Sequence, residues 1–313
     1  MILLCGIPSE GPLRLVAERL EAFDEPFVSF NQRDFHGSEI AFEVTGTRVD
    51  GELRVMDQAF PLDAFSAVYS RLMDDRCLPE LISEPSESSL RTYCRSFHDT
   101  LIRWLEVAPA LVINRLAPMA TNSSKPYQTQ LLREQGFLVP ETLITNDPDL
   151  VRDFQAEHGR VIYKSISSIR SIVQTLGDDD MERLERIRWC PTQFQAFVDG
   201  TNVRVHVVGE EVFATAITTE ATDYRYASQQ SGEPAQLRAA ELSDELAEKC
   251  VRLAQALGLT FAGIDLKVTP DDDVYCFEVN PSPGFSYYES STGQLISEAV
   301  ARCLMQYPLA LAL

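Results

Sequence analysis

An acid and an amide, Glu278 and Asn280, stand two residues apart at the end of the apolar run "VYCFEVN", and two prolines, Pro281 and Pro283, follow at once. One apolar stretch earlier, "FAGIDLKV" carries Asp265 just behind a glycine. Side chains alternate along a strand, so Glu278 and Asn280 share one face, and Phe277 and Val279 are expected to pack on the other. An antiparallel hairpin of Phe261–Val268 with Val274–Val279 would set Asp265 beside Glu278. Asp, Glu and Asn offer only oxygen donors, the hard set that Mg2+ takes when it also holds phosphate oxygens and water. Two acids on neighbouring strands equally suit an edge-strand device or an ion pair, so the trio alone leaves both readings open. The prolines withhold backbone donors and turn the chain.

Two lysines bear on that choice. Lys164 ends "RVIYK", where a cation costs desolvation energy unless it faces an anion, although a strand-end Lys also snorkels into water. Lys125 opens a helix after a polar stretch. Neither a Walker sequence nor GxGxxG occurs, so P-loop and Rossmann nucleotide binding are unsupported. His206 alternates onto the side of Arg204 and reads as a structural or substrate-side residue, not a base. Arg71, in "YSRLMDDR", either meets substrate or pairs with Asp74 or Asp75.

The elements that must position these residues alternate in type. Strands are expected at Met1–Ile7, Pro26–Phe30 and Leu111–Ile113, with a helix at Leu13–Ala22 and another carrying Tyr93, Phe97, Leu101 and Trp104 at helical spacing. This α/β unit closes near Asn114. Helix Lys125–Gln135, strand Pro140–Thr145, helix Asp147–Glu157 and strand Val161–Lys164 follow. Beyond Pro191 come strands Gln193–Val198, Val203–Val208 and Val212–Thr218, helix Ser243–Leu257, the hairpin above, and a last helix opened by a Ser291/Gln294 capping box. The expected units are 1–114, 115–192 and 193–313, an α/β (α+β) chain long enough, at 313 residues, to bury a substantial core.

Composition removes several function classes. With 47 acidic and 27 basic residues the net charge is −20, which repels a phosphate backbone and makes nucleic acid an unsuitable partner. The seven cysteines stand singly, without zinc or disulfide spacing. Asp178–Asp180 and Asp271–Asp273 lack the alternation of a calcium loop and read as solvated turns. No stretch reaches the roughly 18 apolar residues of a membrane span, and no basic segment precedes the short apolar start, so a soluble, cytoplasmic protein is expected.

In order, Lys125, "VIYKS", "QFQAFVDGTNVRVHVVG", "TDYRYA", "GIDL" and "FEVNPSPGF" resemble the ATP-grasp ligases, in particular the RimK-like branch of peptide-modifying glutamate ligases and ribosomal-peptide maturases. The resemblance runs from about Asn114 to Leu304. It implies an ATP-grasp fold with an amino-terminal α/β domain, ATP and Mg2+ as cofactors, and small-molecule or peptide carboxylate and amine substrates, with homo-oligomerisation open. Lys125 and Lys164 match the phosphate-holding lysines. Gln195, Ala196, Phe197 and Val198 match the strand whose backbone reads the adenine edge. Asn202 stands where the family usually has a ribose-contacting Asp, and so lacks that charge. Arg204 and Arg225 match arginines of the phosphate and acyl-acceptor region, and Asp265, Glu278 and Asn280 match the magnesium ligands. Where many members have a glycine-rich loop this chain has "SISSIRSIV", Ser165 to Val173, a candidate lid. The implied reaction turns a carboxylate into an acyl phosphate with release of ADP, and an amine then forms the amide. The alternatives are intramolecular ester or amide closure of a precursor peptide, and a non-catalytic nucleotide sensor.

Overall fold

The computed structural model describes residues 1–166, 172–222, 224–230 and 232–306, without the side chains of Arg225 and Gln229. All five residues of the first strand, Ile2–Gly6, are buried, as in a parallel strand covered on both faces. It lies second in a parallel sheet ordered Phe27–Asn31, Ile2–Gly6, Ala67–Ser70, Leu111–Ile113. Alternate residues serve different cores. Leu3 and Cys5 pack with Phe97, Leu101 and Trp104 of helix Ser89–Val107, whereas Ile2 and Leu4 join Leu13 and Val16 of helix Gly11–Ala22 and Val300 of helix Ile296–Met305.

A three-stranded meander, Ser38–Thr45, Arg48–Val55 and Gln58–Pro61, covers the first of those cores through Val49, Leu53 and Phe60. The sequence reading did not anticipate it, although Ile40 and Phe42 alternate with polar residues. Its second turn places Met56 at φ 54°, where glycine or asparagine is the recognisable signal.

Two antiparallel sheets complete the chain. One is ordered Gln174–Thr175, Val161–Ser165, Thr192–Ala196, Thr142–Thr145; the other Gln236–Ala240, Glu211–Thr218, Thr201–Val208, Phe261–Val268, Val274–Asn280. Helix Pro148–His158 covers the first through Val151, and helices Asp244–Ala256 and Lys125–Glu134 cover the second through Cys250, Leu253 and Leu132.

The expected capping box at Ser291 and Gln294 does not form. Residues Ser286–Thr292 make their own helix, which ends at Gly293 with φ 74°, so Ser291 lies inside it. The next helix begins at Ile296, and its free N–H groups meet a carboxylate from the preceding helix. Glu289 accepts from the Ser297 N–H at 2.7 Å and from its hydroxyl at 2.6 Å. Gln294 turns instead to Thr215 and the Ala214 carbonyl.

Candidate active site

Strands Phe261–Val268 and Val274–Asn280 pair antiparallel with Asp265 directly opposite Glu278. The register then slips by one, so Leu266 faces Cys276 and Phe277 is the extra residue of a β-bulge. This corrects the expectation for Phe277. Val279 and Cys276 both go to the core, and Phe277 stands with Glu278 and Asn280 on the cavity side. The bulge broadens the apolar wall beside the acids without moving them off their face.

The strand that carries these groups is at the edge of its sheet, and two segments seal it. Gln128 is buried; its Nε2 donates to the Val279 carbonyl at 2.9 Å and its Oε1 accepts the Val279 N–H at 3.0 Å. The Leu138 carbonyl accepts the Cys276 N–H at 2.8 Å. Three residues before Gln128 on the same helix, Lys125 reaches Glu278 with Nζ 2.9 Å from Oε2, and also donates to Asn122 Oδ1 at 2.6 Å. Burial alone would raise the Glu278 carboxyl, but Lys125 and Lys164 reverse the sign and hold its pKa below the ordinary value.

Asp265 is held from behind. Arg204, opposite it on the neighbouring strand, donates from Nη1 to Oδ1 at 2.8 Å, and Tyr224 donates to the same oxygen at 3.3 Å. Burial opposes the Arg204 charge, yet the Asp265 carboxylate together with Tyr288 and Tyr224 outweighs it and raises the pKa. The guanidinium lies across Gly263; a Cβ there would stand 2.2 Å from Nη2. His206 sits beyond Arg204, fully buried against Tyr288 and Phe261. Burial and the Arg204 charge drive its pKa well below the ordinary value, so the ring is neutral and structural.

Between the two antiparallel sheets lies a cavity of about 290 Å3. Lys125, Lys164, Asp265, Glu278 and Asn280 line it, as do Gln195, Phe197, Val198 and Asn202. Ala196 and Arg204 are not among the lining residues; the first spends its N–H on the Glu141 carbonyl, and the second is behind Asp265. The Phe197 N–H is likewise committed, to the Arg160 carbonyl at 2.9 Å. The side chain of Arg225 and most of the expected lid, residues 167–171, lie outside the described residues.

Asn122, Phe277 and Lys267 are among the cavity residues that escaped the sequence reading. Asn122 lies three residues before Lys125, in a short 3-10 helix that ends at the extended Ser124. Phe277 was assigned to the wrong face. Lys267 sits across from Asn202, donates to the Val198 carbonyl at 3.0 Å and lies 5.0 Å from the Phe197 ring centre. Its place two residues after Asp265 on an alternating strand was the available signal.

The donor set fits magnesium on its chemistry. Among the described residues no three His, Cys, Asp or Glu side chains converge. Two carboxylates and an amide instead face a cavity that also holds three lysines, Lys125, Lys164 and Lys267, a pattern for an ion whose remaining ligands are phosphate oxygens and water.

Comparisons with known proteins agree with this geometry. The model of the RimK-like ATP-grasp domain matches residues 122–304. A probable alpha-L-glutamate ligase of Xylella fastidiosa (strain M12) is 30% identical over 181 residues, 52% of this chain and 57% of that protein. Another, of Vibrio atlanticus (strain LGP32), is 25% identical over 217 residues, 66% of this chain and 71% of that protein. The chain therefore spans little more than half the length of some curated relatives that it matches. Among solved structures, the ATP-grasp ligase PsnB complexed with minimal precursor superposes with a TM-score of 0.79 at 29% identity, covering 97% of both chains. A Chryseobacterium gregarium RiPP-associated ATP-grasp ligase in complex with ADP and a leader and core peptide gives 0.83 at 21% identity, over 98% of this chain and 97% of that one, and speaks for the fold alone. The architecture is the ATP-grasp fold. Since the domain match runs from the residue that Lys125 contacts into the last helix, through both sheets that enclose the cavity, the chain belongs to the RimK-like ATP-grasp family.

Proposed function

We propose that the chain is an ADP-forming ligase that activates a carboxylate as an acyl phosphate and joins it to an amine, with ATP and Mg2+ bound in the cavity between the antiparallel sheets. The observation that carries this reading is the facing of Lys125 and Lys164 with Asp265 and Glu278 across one cavity. Cations for phosphate and carboxylates for a metal stand within a single contact of each other. With nucleotide bound, Lys125 would turn from Glu278 to phosphate oxygens, and Asp265, Glu278 and Asn280 would hold the metal. Magnesium supplies electrostatic stabilisation of the γ-phosphoryl group as it moves to the carboxylate oxygen. Lys164 would support the phosphates from the opposite sheet, and the Val198 N–H, two residues past the end of strand Thr192–Ala196, would meet the base edge. Arg204 acts through Asp265, and Arg225 keeps its expected role toward the acyl acceptor.

The substrate class in this reading is peptide. End-to-end similarity to a ligase solved with its precursor supports it, and so favours ring closure or side-chain ligation on a precursor as the second form of the same chemistry. The reading includes three units, with the second border drawn after Ala196 because Thr192–Ala196 pairs inside the central sheet. It includes a cytoplasmic site of action away from nucleic acid, in keeping with the charge of −20. No helix among the described residues is long and apolar enough to cross a membrane.

ADP release measured over a panel of amino acids and peptides, with mass analysis of products, tests the assignment. Hydroxylamine in place of the natural nucleophile is expected to trap a hydroxamate, with ADP and phosphate released, because a free carboxylate resists amine attack until it gains a leaving group. AMP and pyrophosphate would identify an adenylating enzyme and sink the proposal. Lys164→Ala should raise the KM for ATP by about tenfold and slow phosphoryl transfer, since it removes a charge-assisted contact. An unchanged KM would take Lys164 out of the nucleotide site.

A further inference from the structure

The turn that follows Asn280 is secured from the first third of the chain. Arg71 leaves the end of strand Ala67–Ser70 with its side chain only 8% exposed. Asp74 and Asp75, the partners suggested by sequence, pair with Arg76 and Arg95 instead. Arg71 turns the other way. Its Nε and Nη2 grip the Glu10 carboxylate at 2.7 and 2.5 Å, and its Nη1 donates to Ser282 Oγ and to the Pro283 carbonyl, each at 3.2 Å. Four of the five guanidinium N–H groups are thus used within the protein, which makes Arg71 a brace and not a receptor for a substrate carboxylate.

Ser282 hands the constraint on. Its N–H donates to Asn280 Oδ1 at 3.0 Å. The carboxamide of Asn280 has broad freedom about its last torsion, and only one of its two ends can face a cation. A fixed Ser282 N–H selects the oxygen end and leaves its second lone pair for a ligand. Asn114, also buried, steadies the same turn by donating to the Pro281 carbonyl at 2.6 Å.

Resting on the ligase reading above, we propose that Arg71, braced by Glu10, is a positioning residue that orients Asn280 toward the metal–nucleotide complex through Ser282. The amino-terminal third thereby takes part in building the site. A lysine cannot replace the fork, because a point charge does not bridge a carboxylate, a hydroxyl and a carbonyl at fixed angles.

Arg71→Met, Arg71→Lys, Glu10→Gln and Ser282→Ala are the informative variants. Three quantities are read on the full chain: amide hydrogen exchange in peptides covering residues 278–288, AMPPNP affinity with and without Mg2+, and kcat with KM for ATP. For Arg71→Met and Ser282→Ala, exchange in the turn should rise, and the gain in AMPPNP affinity that Mg2+ confers should shrink by about 10–100-fold, as when partners of a metal ligand are removed. kcat should fall in parallel, metal-free AMPPNP binding should hold, Arg71→Lys should not rescue, and Glu10→Gln should follow more weakly. Unchanged exchange in the turn overturns the proposal, and so does an equal loss of metal-free and metal-dependent binding, which would mark a general structural defect. If Arg71→Met fails to fold, Ser282→Ala decides, since it deletes only the hydroxyl that Arg71 holds and keeps the contact to Pro283. A wild-type chain that forms no ADP with any substrate would remove the ligase reading, whereas the exchange and binding data would still judge Arg71.

Discussion

Glu278→Gln is expected to lower ADP formation by about a thousandfold while nucleotide binding in the absence of metal persists. The magnitude follows from removing one charged ligand whose ion stabilises the transferring phosphoryl group, an effect worth several kcal/mol. Shape is kept by the amide, so the loss isolates charge. The strand should stay in place, because Val279 is fully buried and its backbone is bonded on both sides by Gln128. Lys125 and Lys164 lose the anion they now share, which leaves them at least as available to phosphate. Turnover and metal-free AMPPNP affinity should therefore part company. Near wild-type turnover with a productive substrate would show that Glu278 is an ordinary ion-pair partner of Lys125. Asp265→Asn should behave alike, and it is a cleaner probe than Asp265→Ala, because its amide oxygen can still accept from Arg204 Nη1, whereas Asp265→Ala leaves the guanidinium neither charge nor acceptor there. Stranding a buried charge typically costs about 3–5 kcal/mol.

Gly263→Ala should be nearly as damaging, although Gly263 has no side chain to offer a metal or nucleotide and meets Asn280 only as its strand partner. A Cβ at this position would lie 2.2 Å from Arg204 Nη2, 2.7 Å from Cζ and 2.7 Å from the Pro283 Cβ. The guanidinium is buried and tied to Asp265, so it cannot swing into solvent to make room. Overpacking of this kind costs about 1–3 kcal/mol of stability. Displacing Asp265 by even about 1 Å is enough for a 100-fold loss in kcat. Denaturant unfolding and steady-state kinetics read the two effects separately. Pairing Gly263→Ala with Arg204→Lys, whose head is smaller, should recover part of the stability, a coupling that a double-mutant cycle detects. If Gly263→Ala matched wild type in both stability and kcat, the close approach would have no functional weight.

Much of the site could be read along the chain, because what locates it is local. A period of two in "FAGIDLKV" and "VYCFEVN", with an acidic turn between, suffices to pair Asp265 with Glu278, and the structure forms that pair in register. The helix beginning at Lys125, the strand ending near Lys164 and the oxygen-only chemistry of the trio depend on residues close in sequence. Phe277 failed for an equally local reason, since a one-residue bulge reverses the alternation and leaves no mark in composition. The split of the last helix at Gly293 was missed because Ser291 and Gln294 copied a capping pattern inside another helix.

Partners of buried polar groups are a different matter. Arg204 was expected to face substrate and stands behind Asp265; Arg71 was given either substrate or the adjacent acids and instead joins Glu10 to Ser282; Gln128 and Asn114 carried no signal at all. A buried donor must find an acceptor, but the requirement does not say which one. The choice falls to whatever segment tertiary packing brings alongside, often more than a hundred residues away. The sequence by itself therefore determined the elements, the types of donor and the face on which the acids lie, through backbone periodicity and side-chain chemistry. Only the tertiary structure decided which groups face the cavity and which stand behind those that do, because burial couples each polar atom to neighbours that no local pattern encodes.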